Sequence, residues 1–187
     1  LNISNGTTWL VKDINPTVVG SSPVGSQVGQ YMHVLVGDTI YFSANDGSTG
    51  QELWAHNTTN QTTWQVADIN DGTGHSTPSG RQGQIIGDTI YFNANDGSTG
   101  TELWAHTTTN QTTWQAADIV AGTGTGCATC GSKISMVVGD TMYFDAYGGM
   151  FAYDTSNHSW WQVASFTTLG HMTTLIGDTI YFDATNG

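Results

Sequence analysis

The chain alternates short apolar runs with turn-forming residues from one end to the other. The runs are rich in β-branched and aromatic residues, and Gly-Asp, Asn-Asp-Gly and Thr-Asn-Gln segments separate them. Such runs are typical of β-strands, and the separating segments are typical of tight hairpin turns. No window has the apolar spacing of an amphipathic helix. The pattern therefore predicts an all-β protein built from consecutive antiparallel hairpins.

One repeated phrase, the sequence motif Gly-Asp-Thr-Ile/Met-Tyr-Phe, recurs along the chain and defines the length of the repeat. Its copies are 37–42, 87–92, 139–144 and 177–182. The aspartates of successive copies lie 50, 52 and 38 residues apart. In the second full unit the predicted strands are 84–86, 89–94, 102–106 and 112–117. Periods of about 40 to 50 residues are typical of propeller blades or solenoids, and four short strands per period favour blades.

The repeat divides a single domain, residues 1–187, into four units. Three of them span about 15–68, 69–118 and 119–165, and the fourth joins 166–187 to 1–14. We expect a β-propeller-like array of four blades, each with about four antiparallel strands, in which the two termini complete one blade. Two arrangements satisfy this expectation. The termini pair within one chain and close a ring, or successive copies or tandem repeats join head to tail.

A second recurring phrase places an N-glycosylation sequence four residues before a tryptophan. Its copies begin at Asn5, Asn60, Asn110 and Asn157, and Asn2 and Asn57 add two further Asn-x-Ser/Thr sequences. These sequences are acceptors for N-linked glycans. All six asparagines fall in the predicted turn between the third and fourth strands, so their glycans would extend from hairpin tips. The alternative is that Asn and Thr are turn-forming residues copied with the repeat.

Seven tryptophans recur at corresponding positions of the predicted strands. They are Trp9, Trp54, Trp64, Trp104, Trp114, Trp160 and Trp161. An aromatic side chain can bury a large apolar area, and these side chains recur in the strands themselves. Their recurrence favours a packing layer between neighbouring blades over a platform on which sugars stack.

Several phrases carry a family resemblance. Glu52-Leu53-Trp54 and Glu102-Leu103-Trp104 each follow an Ala-Asn-Asp-Gly-Ser-Thr-Gly stretch, and residues 10–16 read Leu-Val-Lys-Asp-Ile-Asn-Pro. With Gly20-Ser21-Ser22-Pro23, these phrases resemble the ELWxxDGT-type repeat of large secreted microbial proteins. The third unit departs from this pattern. The turns that carry the N-glycosylation sequences (sequons) take the place of the family's DGT segment. The resemblance implies extracellular β-propeller-like repeats, and it implies no reaction.

The net charge of the chain limits the classes of partner that we expect it to bind. Three basic residues stand against fifteen acidic ones, which gives a net charge of −12. Polyanions should be repelled, so nucleic acid is not an expected partner. No apolar run approaches the roughly 18 residues of a membrane span, so no membrane insertion is expected.

The two cysteines, Cys127 and Cys130, form a Cys-x-x-Cys sequence. A zinc site would need two more ligands, and the chain has no second cysteine pair. In a sequon-rich secreted chain, a local disulfide between these two residues is the expectation.

Two oxygen-rich turns are candidate calcium sites. The candidate ligands are Asp46 and Glu52 in the first full unit and Asp96 and Glu102 in the second. Carboxylate and amide oxygens are the ligands that calcium requires, but the spacing is not that of an EF-hand, and Asp-Gly is also a common hairpin turn. Calcium is the one cofactor that the sequence suggests.

For catalysis the sequence selects no residues. It has no Gly-x-Ser-x-Gly elbow or phosphate-binding loop, and its histidines have no metal-ligand spacing, so we expect no enzyme. The sequence predicts an extracellular or cell-surface structural glycoprotein, a subunit or repeat unit of a filament or surface layer. Its partners would be further copies of itself and its covalent glycans. The alternative is a carbohydrate-binding or adhesive β-propeller module, with calcium-dependent binding as one form of it.

Overall fold

The computed structural model describes residues 4–16, 28–29, 31–127 and 135–185. In this part of the chain there are fourteen strands and no helix, and every strand pair is antiparallel. The prediction of an all-β chain of antiparallel hairpins is confirmed. Within the same ranges, no helix has the length and apolarity that crossing a membrane would require.

The strands form three four-stranded sheets and one hairpin, each in chain order. The first sheet contains β1 (His33–Val36), β2 (Thr39–Asn45), β3 (Gln51–Asn57) and β4 (Thr63–Ala67). The second contains β5 (Ser79–Ile86), β6 (Thr89–Asn95), β7 (Thr101–Thr107) and β8 (Thr112–Ala117). The third contains β9 (Ser135–Val138), β10 (Thr141–Ala146), β11 (Gly149–Asp154) and β12 (Ser159–Ser165). The last hairpin contains β13 (Thr168–Ile176) and β14 (Thr179–Thr185).

The Gly-Asp step of the repeated phrase forms the two-residue turn between the first and second strands of every sheet. Its glycine has φ between 57 and 60° in all four copies, Gly37, Gly87, Gly139 and Gly177. A left-handed first residue in a two-residue loop is typical of a hairpin turn whose twist matches that of the flanking strands. The following Thr-Ile-Tyr-Phe then continues as the second strand.

Successive sheets pack through equivalent residues of their second strands. The tyrosine of one sheet shares a cluster with the Ile or Met and the Phe of the next sheet. The three sets are Tyr41 with Ile90 and Phe92, Tyr91 with Met142 and Phe144, and Tyr143 with Ile180 and Phe182. Neighbouring residues of a strand face opposite sides of the sheet. The Tyr-Phe pair therefore places apolar surface on both faces of every sheet.

A buried glutamate fixes the segment that leaves each of the first two sheets. The fully buried carboxylate of Glu52 accepts hydrogen bonds from the Ile69 backbone N–H (2.8 Å), the Ser76 backbone N–H (3.0 Å) and the Ser76 hydroxyl (2.6 Å). Ile69 in turn packs in the cluster between the first and second sheets. The glutamate therefore ties the end of one sheet to the contact with the next.

The second sheet repeats this arrangement, and the third replaces it. Glu102 accepts hydrogen bonds from the backbone N–H groups of Ile119 (2.8 Å) and Gly126 (2.7 Å). In the third sheet Gly149 occupies the corresponding strand position, and the Phe166 N–H donates to the Gly148 carbonyl oxygen at 3.0 Å. A backbone carbonyl there replaces the carboxylate.

The first residues do not complete a fourth sheet within the described part of the chain. Residues 4–16 form no strand, although Ile14 packs against Phe42 and Ala44 of the first sheet. Among the described residues the last hairpin is two-stranded, and they do not form the expected fourth set of four strands.

The contact between a hairpin turn and the following linker leaves no room for a side chain. A Cβ on Gly100 would lie 1.7 Å from the Gly124 carbonyl oxygen, whereas a Cβ on Gly122 would meet nothing within 4 Å. The two glycines have similar φ angles, 79° and 83°, so an alanine is conformationally strained at both.

We therefore expect Gly100→Ala to destabilise the protein more than Gly122→Ala, by about 1–3 kcal/mol, the usual cost of overpacking. The measurement is the free energy of unfolding of both variants from urea titrations. Equal losses for the two substitutions would show that the linker does not approach the turn this closely.

Candidate glycan-attachment turns

Four turns that carry sequons share one local conformation. In the first sheet, Asn60 Oδ1 accepts hydrogen bonds from the Thr62 N–H (3.0 Å) and hydroxyl (2.6 Å). The residue after each asparagine is left-handed, with φ of 69° at Gly6, 60° at Gln61, 58° at Gln111 and 60° at His158. The asparagine side chain closes a local ring that holds this otherwise disfavoured conformation. The sequon is thus itself the turn-forming element.

The same hydrogen bond recurs in the other three turns. Thr112 N–H donates to Asn110 Oδ1 at 3.1 Å, and Ser159 N–H donates to Asn157 Oδ1 at 2.9 Å. In the first described residues, the Thr7 N–H and hydroxyl donate to Asn5 Oδ1 at 3.0 and 2.7 Å. The turn therefore forms around Asn5 even though residues 4–16 form no strand.

The Gly-Asp turn of each sheet braces its sequon turn. The Asp38 carbonyl oxygen accepts from the Thr58 N–H at 2.8 Å, and its carboxylate accepts from the Thr59 hydroxyl at 2.9 Å. Thr108 and Thr155 donate in the same way to the carbonyl oxygens of Asp88 and Asp140. The two repeated phrases of the sequence thus meet at one end of each sheet. The hydrogen bond from the Thr109 hydroxyl also lowers the pKa of the Asp88 carboxyl.

Asn5, Asn60 and Asn110 present unobstructed attachment points. All three side chains are exposed, and each uses its Oδ1 atom within the turn. Within the described part of the chain, their Nδ2 atoms make no hydrogen bond. N-linked glycans are attached through Nδ2, so a glycan at these positions would break no hydrogen bond among the described residues.

Asn57 and Asn157 are placed differently. Asn57 is half-buried, its Nδ2 donates to the Thr39 hydroxyl at 3.2 Å, and its Oδ1 accepts from the Thr59 and Asn60 N–H groups. Asn157 is exposed, but its Nδ2 donates to Asp154 Oδ2 at 3.1 Å. Asn2 lies outside the described residues. The sequence alone does not distinguish these sites, because the hydrogen-bond partners of Nδ2 belong to neighbouring strands or turns.

The tryptophans divide into two groups. Trp54, Trp64, Trp104 and Trp114 are half-buried against the clusters that join the sheets. The ring of Trp114 also meets the ring of His158, in the sequon turn of the third sheet, with centroids 5.8 Å apart. The prediction of a packing layer fits these four residues. It does not fit Trp9, Trp160 and Trp161, which are exposed.

The candidate calcium ligands make different hydrogen bonds and have separate structural roles. Asp46 is half-buried and closes its own turn, accepting hydrogen bonds from the N–H and hydroxyl groups of Ser48 and Thr49 at 2.7–3.1 Å. Partial burial opposes the effect, but these hydrogen bonds lower the pKa of Asp46 to about 2. Burial raises the pKa of Glu52, whose oxygens hold the linker.

The second turn has the same arrangement, with Asp96 bonded to Ser98 and Thr99 and Glu102 bonded to the linker. Among the described residues, no three His, Cys, Asp or Glu side chains are grouped as metal ligands. A calcium ion at either turn would have to displace the present donors, and calcium binding stays a prediction.

Only one half of the predicted disulfide can be described. Cys127 is fully buried in the cluster between the second and third sheets, with Sγ 3.5 Å from Asn93 Oδ1. Cys130 lies outside the described residues, and the disulfide stays a prediction.

No protein-family model matches this chain, and no curated protein matches it in sequence. Among solved structures, the chain is similar to the crystal structure of the computationally designed Ika4 protein. The similarity has 13% sequence identity and a TM-score of 0.44, and it covers 90% of this chain and 100% of the designed one. This degree of similarity supports no conclusion about function.

A buried histidine lies between the first two sheets, and the sequence analysis did not single it out. His106 is fully buried, its Nδ1 pairs with the Thr113 hydroxyl at 2.9 Å, and its ring lies 5.3 Å from that of Tyr41. Burial lowers the pKa of His106 to about 4, compared with about 6.5 for an exposed histidine.

The folded protein therefore binds fewer protons than the unfolded chain between about pH 6.5 and pH 4, so stability should fall as pH falls through this window. The loss attributable to His106 is about 3 kcal/mol. We expect His106→Gln to have a flatter dependence of unfolding free energy on pH than the wild type in this window, measured by urea titrations at a series of pH values. Identical slopes for the two proteins would contradict the assignment.

Proposed function

We propose that this chain is an extracellular structural glycoprotein that displays N-linked glycans from its hairpin tips. It serves as a subunit or repeat unit of a filament or surface layer, in which the four-stranded sheets are arranged as blades of a β-propeller-like array. The observation that carries the proposal is the sequon turn itself. The same exposed conformation recurs in four places while the neighbouring sequence varies.

The position of the turns supports glycan display. In each of the three sheets, the Gly-Asp turn and the sequon turn are hydrogen-bonded at the same end. Equivalent residues meet in every contact between sheets, so the turns lie along one side of the stack. Glycans attached there would form a row and would leave the packing faces free.

The hydrogen bonds that brace the sequon turns support the proposal that a fixed turn geometry is part of the function. A mobile acceptor loop would not need Asp38 or Asp88, yet both aspartates hold the threonines of their sequon turns. A braced turn spaces the glycans at the repeat of the sheets. Regularly spaced glycans would cover the surface of a structural assembly. The resemblance to secreted repeat proteins supports a location outside the cell.

The test compares two threonines of one turn. Thr62→Ala removes the sequon of Asn60, and Thr59→Ala removes that of Asn57, so each variant loses one sequon and one hydroxyl. We expect Thr62→Ala to lower the intact mass of the native protein by one glycan, because Asn60 is exposed and its Nδ2 makes no hydrogen bond to the described residues. Thr59→Ala should leave the mass unchanged except for the substitution, because the Asn57 amide is engaged with Thr39.

Enzymatic removal of N-linked glycans from the wild type provides the reference mass, and mapping of the released asparagines locates each glycan. A wild-type mass equal to that of the polypeptide would overturn the proposal. A glycan on Asn57 but not on Asn60 would overturn the role given to the turn geometry.

A further inference from the structure

We propose that the last hairpin of one copy packs against the first sheet and the first residues of a second copy, so that copies join end to end through a repetition of their own internal contact. This inference rests on the structural role proposed above and names the surfaces that such a role would use. The two halves of the missing contact are present in one chain: Tyr181 of the last hairpin and Trp9 of the first residues are exposed, and Phe42 of the first sheet is already covered by Ile14.

The first half is the outer face of the last hairpin. In the first two internal contacts, the tyrosine of the second strand is buried, with 3% of Tyr41 and 5% of Tyr91 exposed, and in the third contact Tyr143 is half-buried. The equivalent Tyr181 is 49% exposed. Ile176, which corresponds to Val36 and Ile86 of the first two sheets, is 64% exposed, whereas those two residues pack in the clusters between sheets. On this face the hairpin therefore has the residues of a contact but no neighbour among the described residues.

The second half is the opposite face of the first sheet. Ile40 and Phe42 correspond to Ile90 and Phe92, which pack against the tyrosine of the preceding sheet. In the described part of the chain, Ile40 and Phe42 share a cluster with Ile14 and contact no such tyrosine. Ile14 already covers Phe42 as Ile69 covers Phe92, so the linker side of the contact is formed in advance.

The first residues contain a segment that corresponds to the sequon turn and the fourth strand of the other sheets. Asn5, Gly6 and Thr7 adopt the turn that elsewhere joins a third strand to a fourth. The residue corresponding to Trp64 and Trp114, which pack between sheets, is Trp9, and it is 61% exposed. A fourth-strand segment with its turn is thus present without the sheet to which it would belong.

These observations favour a second copy as the occupant over the same chain. Tyr181 and Trp9 are both exposed in one molecule, so the chain does not bring its own two halves together. When residues 5–11 of a second copy lie beside the last hairpin of the first copy, Ile14 and Phe42 of the second copy lie where the next sheet packs in an internal contact. The junction then repeats the internal contact, and the chain of copies continues.

The experiment uses the full chain made in a host that adds no N-linked glycans, so its outcome is independent of glycan attachment. We expect the wild type to form linear polymers that lengthen with concentration, seen by sedimentation velocity and electron microscopy. Tyr181→Asp and Trp9→Asp should each remain monomeric, because each has lost one half of the contact. Tyr147→Asp, at a turn residue that is 71% exposed and belongs to neither half, should polymerise as the wild type does.

An equimolar mixture of the two monomeric variants provides the sharpest test. Tyr181→Asp keeps the first-sheet half and Trp9→Asp keeps the hairpin half, so the mixture should form dimers and nothing longer. A wild type that stays monomeric at every concentration would overturn the inference, as would a Tyr181→Asp variant that polymerises normally. Circular dichroism confirms that each variant is folded, and glycan attachment is judged separately by mass.

Discussion

The fold depends on the fact that every sheet has apolar side chains on both faces. Tyr and Phe are consecutive on the second strand, so they must face opposite sides, and both are buried in the second sheet. Burying one such side chain is worth roughly 1.5–3 kcal/mol. A sheet with two apolar faces is stable only between two neighbours, as is typical of repeat architectures. Where a neighbour is lacking among the described residues, as on the outer face of the last hairpin, the corresponding apolar side chains Ile176 and Tyr181 are exposed.

The contacts between sheets also require the linker to be held in place. Glu52 and Glu102 do this by accepting hydrogen bonds from backbone N–H groups of the linker. A buried carboxylate is costly unless its oxygens are hydrogen-bonded, and here two or three donors satisfy each one. The third sheet shows what the interaction requires. Where Gly149 removes the carboxylate, the Gly148 carbonyl accepts the equivalent N–H from Phe166.

Fixed linkers and sheets give the sequon turns fixed positions. The turn at Asn60 is held from within by Thr62 and from the neighbouring turn by Asp38. Under the proposed function, turn formation and glycan attachment would use different atoms of one side chain, because Oδ1 closes the turn and a glycan would be attached to Nδ2. For the same reason we expect Asn57, whose amide nitrogen and oxygen are both hydrogen-bonded, to be a poorer glycan acceptor than Asn60, although its sequence is an equally good match.

The amino-acid sequence by itself determined the local structure, because strands and two-residue turns depend on neighbouring residues. The strand predicted at 89–94 is β6, Thr89–Asn95, and Asn60 and Asn110 lie in hairpin turns as expected. Only the tertiary structure decided the roles of Glu52 and Asn57 and the exposure of Trp9. The partners of Glu52 lie 17 and 24 residues away, and Thr39 reaches Asn57 only across a strand pair. Whether an aromatic side chain is covered depends on which sheet, if any, packs against it, and spacing along the chain does not contain that information.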